Sequence, residues 1–443
     1  MMLESSHYWL KNAHVPESLM VKSKQGKSRN WSTTSPTESR DRSSSLLVDL
    51  EIMDGCIASI ATAGTLSSYY YPSIDLQGGM VFPCFVDLHT HLDKGHIWER
   101  TANPDGTFGS AIDACKTDGA YWNAEDVYRR MEFGLRCSYA HGTKALRTHI
   151  DAAGAQAAIS LEVFSTLRDE WADRLILQAV SLVSLDYWLT PEGETLADQI
   201  ANIGGILGGV VYMNPDVEAQ IERVFTLAKD RNLNLDFHTD ETNQPDSITL
   251  RLVAEATLRH RYQGRVVCGH ACSLAMQSPE VAETTIARVK QAGIGIVSLP
   301  LCNLYLQDRQ LGRTPRWRGV TLLHELKAKG VPVALANDNC RDPFHAFGDH
   351  DVLEVFSLST KIAHLDHPYG DWCSAVTRTP ADLMNLPTVG RIGVGLPADL
   401  VLCKARRYSE LFSRPQHDRI VLRQGRAIDT TLPDYAELDE LYH

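Results

Sequence analysis

His89 and His91 stand two residues apart, directly after the apolar run Val81-Phe82-Pro83-Cys84-Phe85-Val86 and its continuation Asp87-Leu88. Side chains alternate faces along a strand, so two imidazoles at i and i+2 point the same way and can reach one metal ion. The spacing alone is weak, because 17 His in 443 residues give roughly 0.65 such pairs by chance. Three more clusters strengthen it: His238-Thr239-Asp240-Glu241, Gly269-His270 and Asn337-Asp338-Asn339, each closing another strand-like run. His89, His91, His238 and Asp338 offer three nitrogens and a carboxylate, a donor set suited to one divalent ion, Zn²⁺ or Fe²⁺. Taken singly, each His reads more readily as a satisfied core residue. Four strand ends carrying the whole set do not.

The chemistry follows from the donors. An ion held there lowers the pKa of a coordinated water far enough to supply hydroxide near neutrality. Asp338 is placed to accept the water's proton. Glu241, three residues beyond His238, is placed to carry protons between water, a ring nitrogen and a leaving group. His270 is placed to orient the water or meet a developing oxyanion. Catalytic roles are therefore expected for Glu241, His270 and Asp338.

These residues need a frame that gathers distant strand ends. From Val81 to about Leu386 the pattern is strand, loop and helix, repeated. The apolar runs are Val81–His91, Thr143–Asp151, Leu175–Leu185, Gly208–Asn214, Leu233–Glu241, Arg265–His270, Gly293–Asn303 and Val331–Asp338. Helical segments separate them; one opens at Ser278-Pro279 and stops at Gly293, an N-cap, first-turn proline and C-terminal glycine. Eight such units predict an α/β fold, a (β/α)8 TIM barrel, whose functional groups gather at the C-terminal ends of its strands. No lysine closes the fourth run, where binuclear barrels of this type carry a bridging carboxylated lysine, so one metal is expected there rather than two. Residues 1–80 read as β-rich and 387–443 as a second β segment, together a small β-sandwich side domain beside an 81–386 barrel. Within the first, 22–45 is Ser-, Thr-, Lys- and Arg-rich and reads as a flexible insert.

Composition narrows the class. A net charge of −12 argues against nucleic-acid or anionic membrane surfaces, which need clustered Lys and Arg. No apolar stretch approaches the length of a membrane span, and the first 15 residues lack a signal-peptide core. Ten Cys without a CxxC pair or a disulfide spacing fit a reducing, cytoplasmic setting. The expected partner is a small-molecule substrate, and a homo-oligomer is compatible with the sequence.

On the stretches Phe85-Val-Asp-Leu-His-Thr-His-Leu-Asp-Lys94, Arg147-Thr-His-Ile-Asp151, His238-Thr-Asp-Glu241, Gly269-His270, Pro300-Leu-Cys-Asn-Leu-Tyr-Leu-Gln307 and Asn337-Asp-Asn-Cys-Arg-Asp-Pro-Phe344, the chain resembles the amidohydrolase superfamily, in particular its cytosine deaminase branch. The resemblance implies one catalytic Fe or Zn on His89, His91, His238 and Asp338, with Glu241 moving protons to a pyrimidine nitrogen. It implies that His270 contacts the nucleophile and that Asp338 doubles as a base. Three departures fall where that branch reads its substrate. Asn339 stands where it carries a second aspartate, Phe344 where it carries tryptophan, and Ser184 near its amide-reading glutamine. Ser184, Asn339 and Phe344 are thus the substrate-binding candidates. The run from Asn337 to Asp342 also resembles triazine-handling relatives, the N-isopropylammelide amidohydrolases.

The expectation is a hydrolase acting on carbon–nitrogen bonds of cyclic amidines: a metal-dependent deaminase of a small nitrogen heterocycle, with cytosine or an analogue leading. The alternative enzyme hydrolyses another cyclic amidine, a triazine or a lactam. The alternative outside enzymes is a metal- or ligand-binding protein without catalysis, against which Glu241 speaks, since a binder has no use for a proton carrier. A polynucleotide deaminase is excluded because neither H-x-E nor P-C-x-x-C occurs.

Overall fold

Eight strands close a ring in the computed structural model, which describes residues 5–21, 45–65 and 70–442. In chain order they are β1 (Phe85–Thr90), β2 (Thr143–Asp151), β3 (Ile176–Leu182), β4 (Leu207–Val211), β5 (Leu235–Thr239), β6 (Val266–His270), β7 (Gly295–Ser298) and β8 (Val333–Leu335). β1, β2 and β3 form one hydrogen-bonded sheet and β4 to β8 another. Parallel bridges Val180–Ile206 and Ser184–Val210 join β3 to the β4 side, and Thr90–Asp338 joins β1 to the residues after β8. The fold is a TIM barrel of the α/β class. Parallel pairing runs in register from Leu235 opposite Leu207 to Thr239 opposite His270.

Local signals explain the helices between strands. Pro279–Ala292 starts where the Ser278 hydroxyl accepts from the Val281 N–H, with Pro279 in the first turn. It stops at Gly293, whose φ of 69° lets its N–H reach back to Lys290 and Val289 carbonyls. The run Gly293–Asn303, read from sequence as one strand, divides instead. Its strand ends at Ser298, and Pro300–Leu306 is helical because Pro300 suits a first helical turn, where no N–H is needed.

The chain divides into two compact units. One holds 1–86, 139–144 and 352–432; the other holds 87–138, 145–351 and 433–443, and contains every candidate site residue. In the first, one sheet runs Cys56–Thr62, Ser45–Met53, His7–Pro16, Ser73–Asp75, and a second runs Arg426–Ala427, Ile420–Arg423, Leu400–Leu402, Val81–Pro83. Leu10, Val15, Leu50 and Ile52 share one buried cluster with Val81, Leu400 and Leu422. Alternate residues of both chain ends thus fill a small sandwich core. The position 386 expected to close the barrel falls inside this unit, and 433–443 belongs to the other. The expected insert at 22–45 lies outside the described residues except for Ser45.

Candidate active site

The strand ends converge as the alternation rule requires. His89 Nε2 lies 3.2 Å from His238 Nε2, which lies 3.4 Å from His91 Nε2. Asp338 Oδ1 is 3.2 Å from His91 Nε2 and 3.5 Å from His89 Nε2. All four side chains are buried. Ligands about 2.0–2.1 Å from a tetrahedral ion sit about 3.3–3.4 Å apart, so the spacing matches a single small divalent ion. The chemistry agrees: both Asp338 carboxylate oxygens are buried without a hydrogen-bond donor, which is costly unless a cation compensates them. Burial, then neighbouring imidazoles, push His89 and His238 well below the ordinary histidine value. They are therefore neutral, the form that ligates.

Backbone geometry aims the groups. Asp338 adopts φ 67°, and its N–H donates to the His89 carbonyl at 2.9 Å while Thr90 Oγ1 donates to its carbonyl at 2.9 Å. His270 closes β6 at φ 66° and Asp240 follows β5 at φ 51°. Left-handed non-glycine residues cost about 1–2 kcal/mol each, and these three stand at strand ends beside the donor cluster.

Beside the cluster, Asn303 Nδ2 donates to Glu241 Oε1 at 3.2 Å and to His270 Nδ1 at 3.0 Å. Nδ1 of a neutral His270 is then the acceptor, and its proton sits on Nε2, which has no protein partner. Burial lowers His270 to about 4, against the raising pull of Asp338. Burial, then the Asp338 charge, raise Glu241 well above the carboxylate range. Burial pushes Asp338 upward too, but the close His91 Nε2 and then His270 outweigh it, and Asp338 lies below its ordinary value. Glu241 shifted up beside Asp338 shifted down is the pattern of an acid next to a base.

These groups open on a cavity of about 700 Å³, lined by His91, His238, Glu241, His270 and Asp338 on one side and by Phe108, Trp122, Tyr212 and Phe344 on others. All three substrate-binding candidates, Ser184, Asn339 and Phe344, line it. Phe344 packs edge-on against Phe108 at 5.6 Å, with Lys94 Nζ 5.6 Å from its ring centre. The Asn339 amide is already engaged, donating to Asp342 Oδ2 at 2.7 Å.

Residues named in the sequence as strand-end or motif residues meet partners that the sequence did not assign. Lys94 Nζ pairs with Asp151 Oδ1 at 2.6 Å on the cavity wall. Both residues stood in the motif stretches, but nothing in spacing joins ends of β1 and β2. His149 lies beside the donor cluster, its ring 3.8 Å from that of His89, with neither nitrogen in a hydrogen bond among the described residues. Asn303 was visible only as a polar residue closing the seventh run.

Residues 134–428 match the family model described as the amidohydrolase family. A pterin deaminase of Rhizobium rhizogenes is 53% identical over 393 residues, covering 88% of this chain and 90% of that protein. The N-isopropylammelide isopropyl amidohydrolase of a Pseudomonas species is 27% identical, covering 74% and 81%. Among solved structures, 5-methylcytosine deaminase from Klebsiella pneumoniae superposes with a TM-score of 0.79 at 23% identity, covering 96% of this chain and 98% of that one.

Proposed function

The chain belongs to the amidohydrolase family, and on that premise we propose that it is a metal-dependent hydrolytic deaminase of a nitrogen heterocycle. Its preferred substrate is a pterin-type bicyclic ring, which loses its exocyclic amine as ammonia. The observation that carries the reaction type is geometric: Glu241, held by Asn303, lines the same cavity as His91, His238 and Asp338 of the donor set. The 53% identity to a pterin deaminase over most of both chains supports the substrate. A cavity walled by Phe108, Trp122, Tyr212 and Phe344 offers faces for a flat, extended ring.

His89, His91, His238 and Asp338 would hold the ion. When bound, it supplies Lewis-acid polarisation and hydroxide from water at neutral pH. The residues do the rest. Asp338 takes a proton from the water that adds to the amine-bearing carbon. Glu241 delivers its proton to the adjacent ring nitrogen, which turns the ring carbon into a better electrophile. The His270 Nε2–H donates to the oxygen arriving at that carbon. The bond to the exocyclic nitrogen then breaks, a proton passes from Asp338 to the departing amine, and ammonia leaves. Glu241 regains its proton from the ring nitrogen or the added oxygen, so the sum is water in and ammonia out.

The second reading is a single-ring substrate, cytosine or an analogue, favoured by the likeness of Phe85–Lys94, Arg147–Asp151 and Pro300–Gln307 to the cytosine deaminase branch, from which Asn339 and Phe344 depart. An ammonia-coupled panel of pterin, cytosine, 5-methylcytosine, isocytosine and aminotriazines separates the two. Pterin is expected to show the highest kcat/KM. A cytosine preference of tenfold or more would replace it, and no ammonia from any ring would remove the deaminase reading.

A further inference from the structure

A second cluster of metal-ligating side chains lies outside this site. His96 Nε2 and His350 Nε2 are 3.2 Å apart, and the Cys340 sulfur completes a triad whose ligand atoms all lie within 4.8 Å of one another. All three residues are at most 1% exposed. The nitrogen spacing equals that of His89 and His238 in the first site. The His96 Nδ1 also has no hydrogen-bond partner among the described residues, as is true of Nδ1 in His89, His91 and His238.

The simple explanation is a hydrogen bond between the two imidazoles. It accounts poorly for what surrounds them. His96 sits at φ 62° and His350 at φ 55°, both in the left-handed region that L side chains seldom adopt. The helix Ala124–Ala140 carries an interior glycine at 134, and a Cβ there would lie 2.9 Å from His350 Nε2. A left-handed backbone at both rings and a helix thinned to admit one of them hold the two nitrogens at ligand spacing beside a sulfur. A sulfur and two imidazoles are the donors that a borderline-soft ion selects.

We propose that His96, Cys340 and His350 form a structural site for a zinc-class divalent ion. The Asp349 carboxylate neighbours Cys340 and is placed to supply a fourth donor or to brace one. Binding forms two nitrogen–metal bonds and one sulfur–metal bond, and the thiol proton passes to solvent. The location gives the ion a task. His96 follows the His89/His91 strand and Cys340 follows Asp338, and the two segments already pair through His96 N–H to the Cys340 carbonyl at 3.1 Å and Trp98 N–H to the Arg341 carbonyl at 2.9 Å. An ion there would fasten the two loops whose first residues hold the catalytic ligands.

Cobalt(II) reconstitution of the stripped full-length protein tests this, because thiolate-to-cobalt charge transfer gives a near-ultraviolet band that a site of three histidines and an aspartate cannot give. The expected result is two equivalents of metal per chain with that band, and Cys340→Ser losing the band and one equivalent while keeping the other. His96→Gln should do the same. Absence of the band from the wild type, whatever the total metal count, overturns the proposal. So does a band that persists in Cys340→Ser, which would place the thiolate elsewhere. The wild-type spectrum decides even if a variant fails to fold.

Discussion

Glu241 carries the sharpest expectation at the residue scale. Glu241→Gln removes the proton carrier but no ligand, so metal content should stay and kcat should fall on the order of a hundredfold or more; metal analysis beside steady-state kinetics reads both. Burial first, and Asp338 second, raise this carboxyl, so it holds its proton to higher pH than a free glutamate and loses it as pH rises through the raised value. Activity that needs the acid form must therefore fall on the alkaline side, and that limb should vanish in Glu241→Gln. An unchanged pH profile in the variant would remove the role. Asn339 was legible as a departure from the cytosine deaminase pattern, but its partner was not, because a loop three residues long can fold back in many ways. Its amide donates to Asp342, which burial raises to about 6. An acid raised in the folded state favours its protonated form, so stability drawn from that burial is lost as pH rises through about 6. Asn339→Asp then sets two carboxylates together, and it should cost about 2 kcal/mol at pH 8 and much less near pH 5. Urea unfolding measures it; Asp342→Asn in the same chain should restore the loss, whereas an equal loss at both pH values would mean that charge is not the cause.

Elements explain which parts of the site could be read in advance. His89, His91, His238, His270 and Asp338 close apolar runs, and parallel strands buried on both faces read as such runs, so their shared location followed from the barrel. Pairings across strand ends did not follow: Lys94 with Asp151, and His96 with His350, join residues 57 and 254 positions apart, and no periodicity encodes them. Close packing between strands tunes the ligands as well. A Cβ on Gly269 in β6 would lie 3.1 Å from His89 Cε1, tighter than ordinary contact, so Gly269→Ala must push the ring. Metal affinity should weaken about 10- to 100-fold, the usual effect of disturbing what orients a ligand. Competition with a chromogenic chelator measures this, and unchanged affinity would show that β6 yields instead.

For the whole molecule, the acidic balance and ordinary apolar content pointed to a small-molecule enzyme, and no helix among the described residues is long and apolar enough to cross a membrane. Buried, uncompensated donors make metal a stabiliser of the fold as well as a reagent. Chelation should lower Tm, by an amount matching about 4 kcal/mol at an ion concentration 1,000 times its Kd, and restoring zinc or iron should recover it. The most direct measurement follows deamination itself. Metal-loaded, metal-stripped and reloaded protein are incubated with pterin in heavy-oxygen water, and ammonia and product mass are measured together. Loaded and reloaded protein should release one ammonia per product carrying one heavy oxygen at the former amine position, and stripped protein should release almost none. Ammonia release that is indifferent to metal, or a product without the label, would contradict a metal-dependent hydrolytic deaminase.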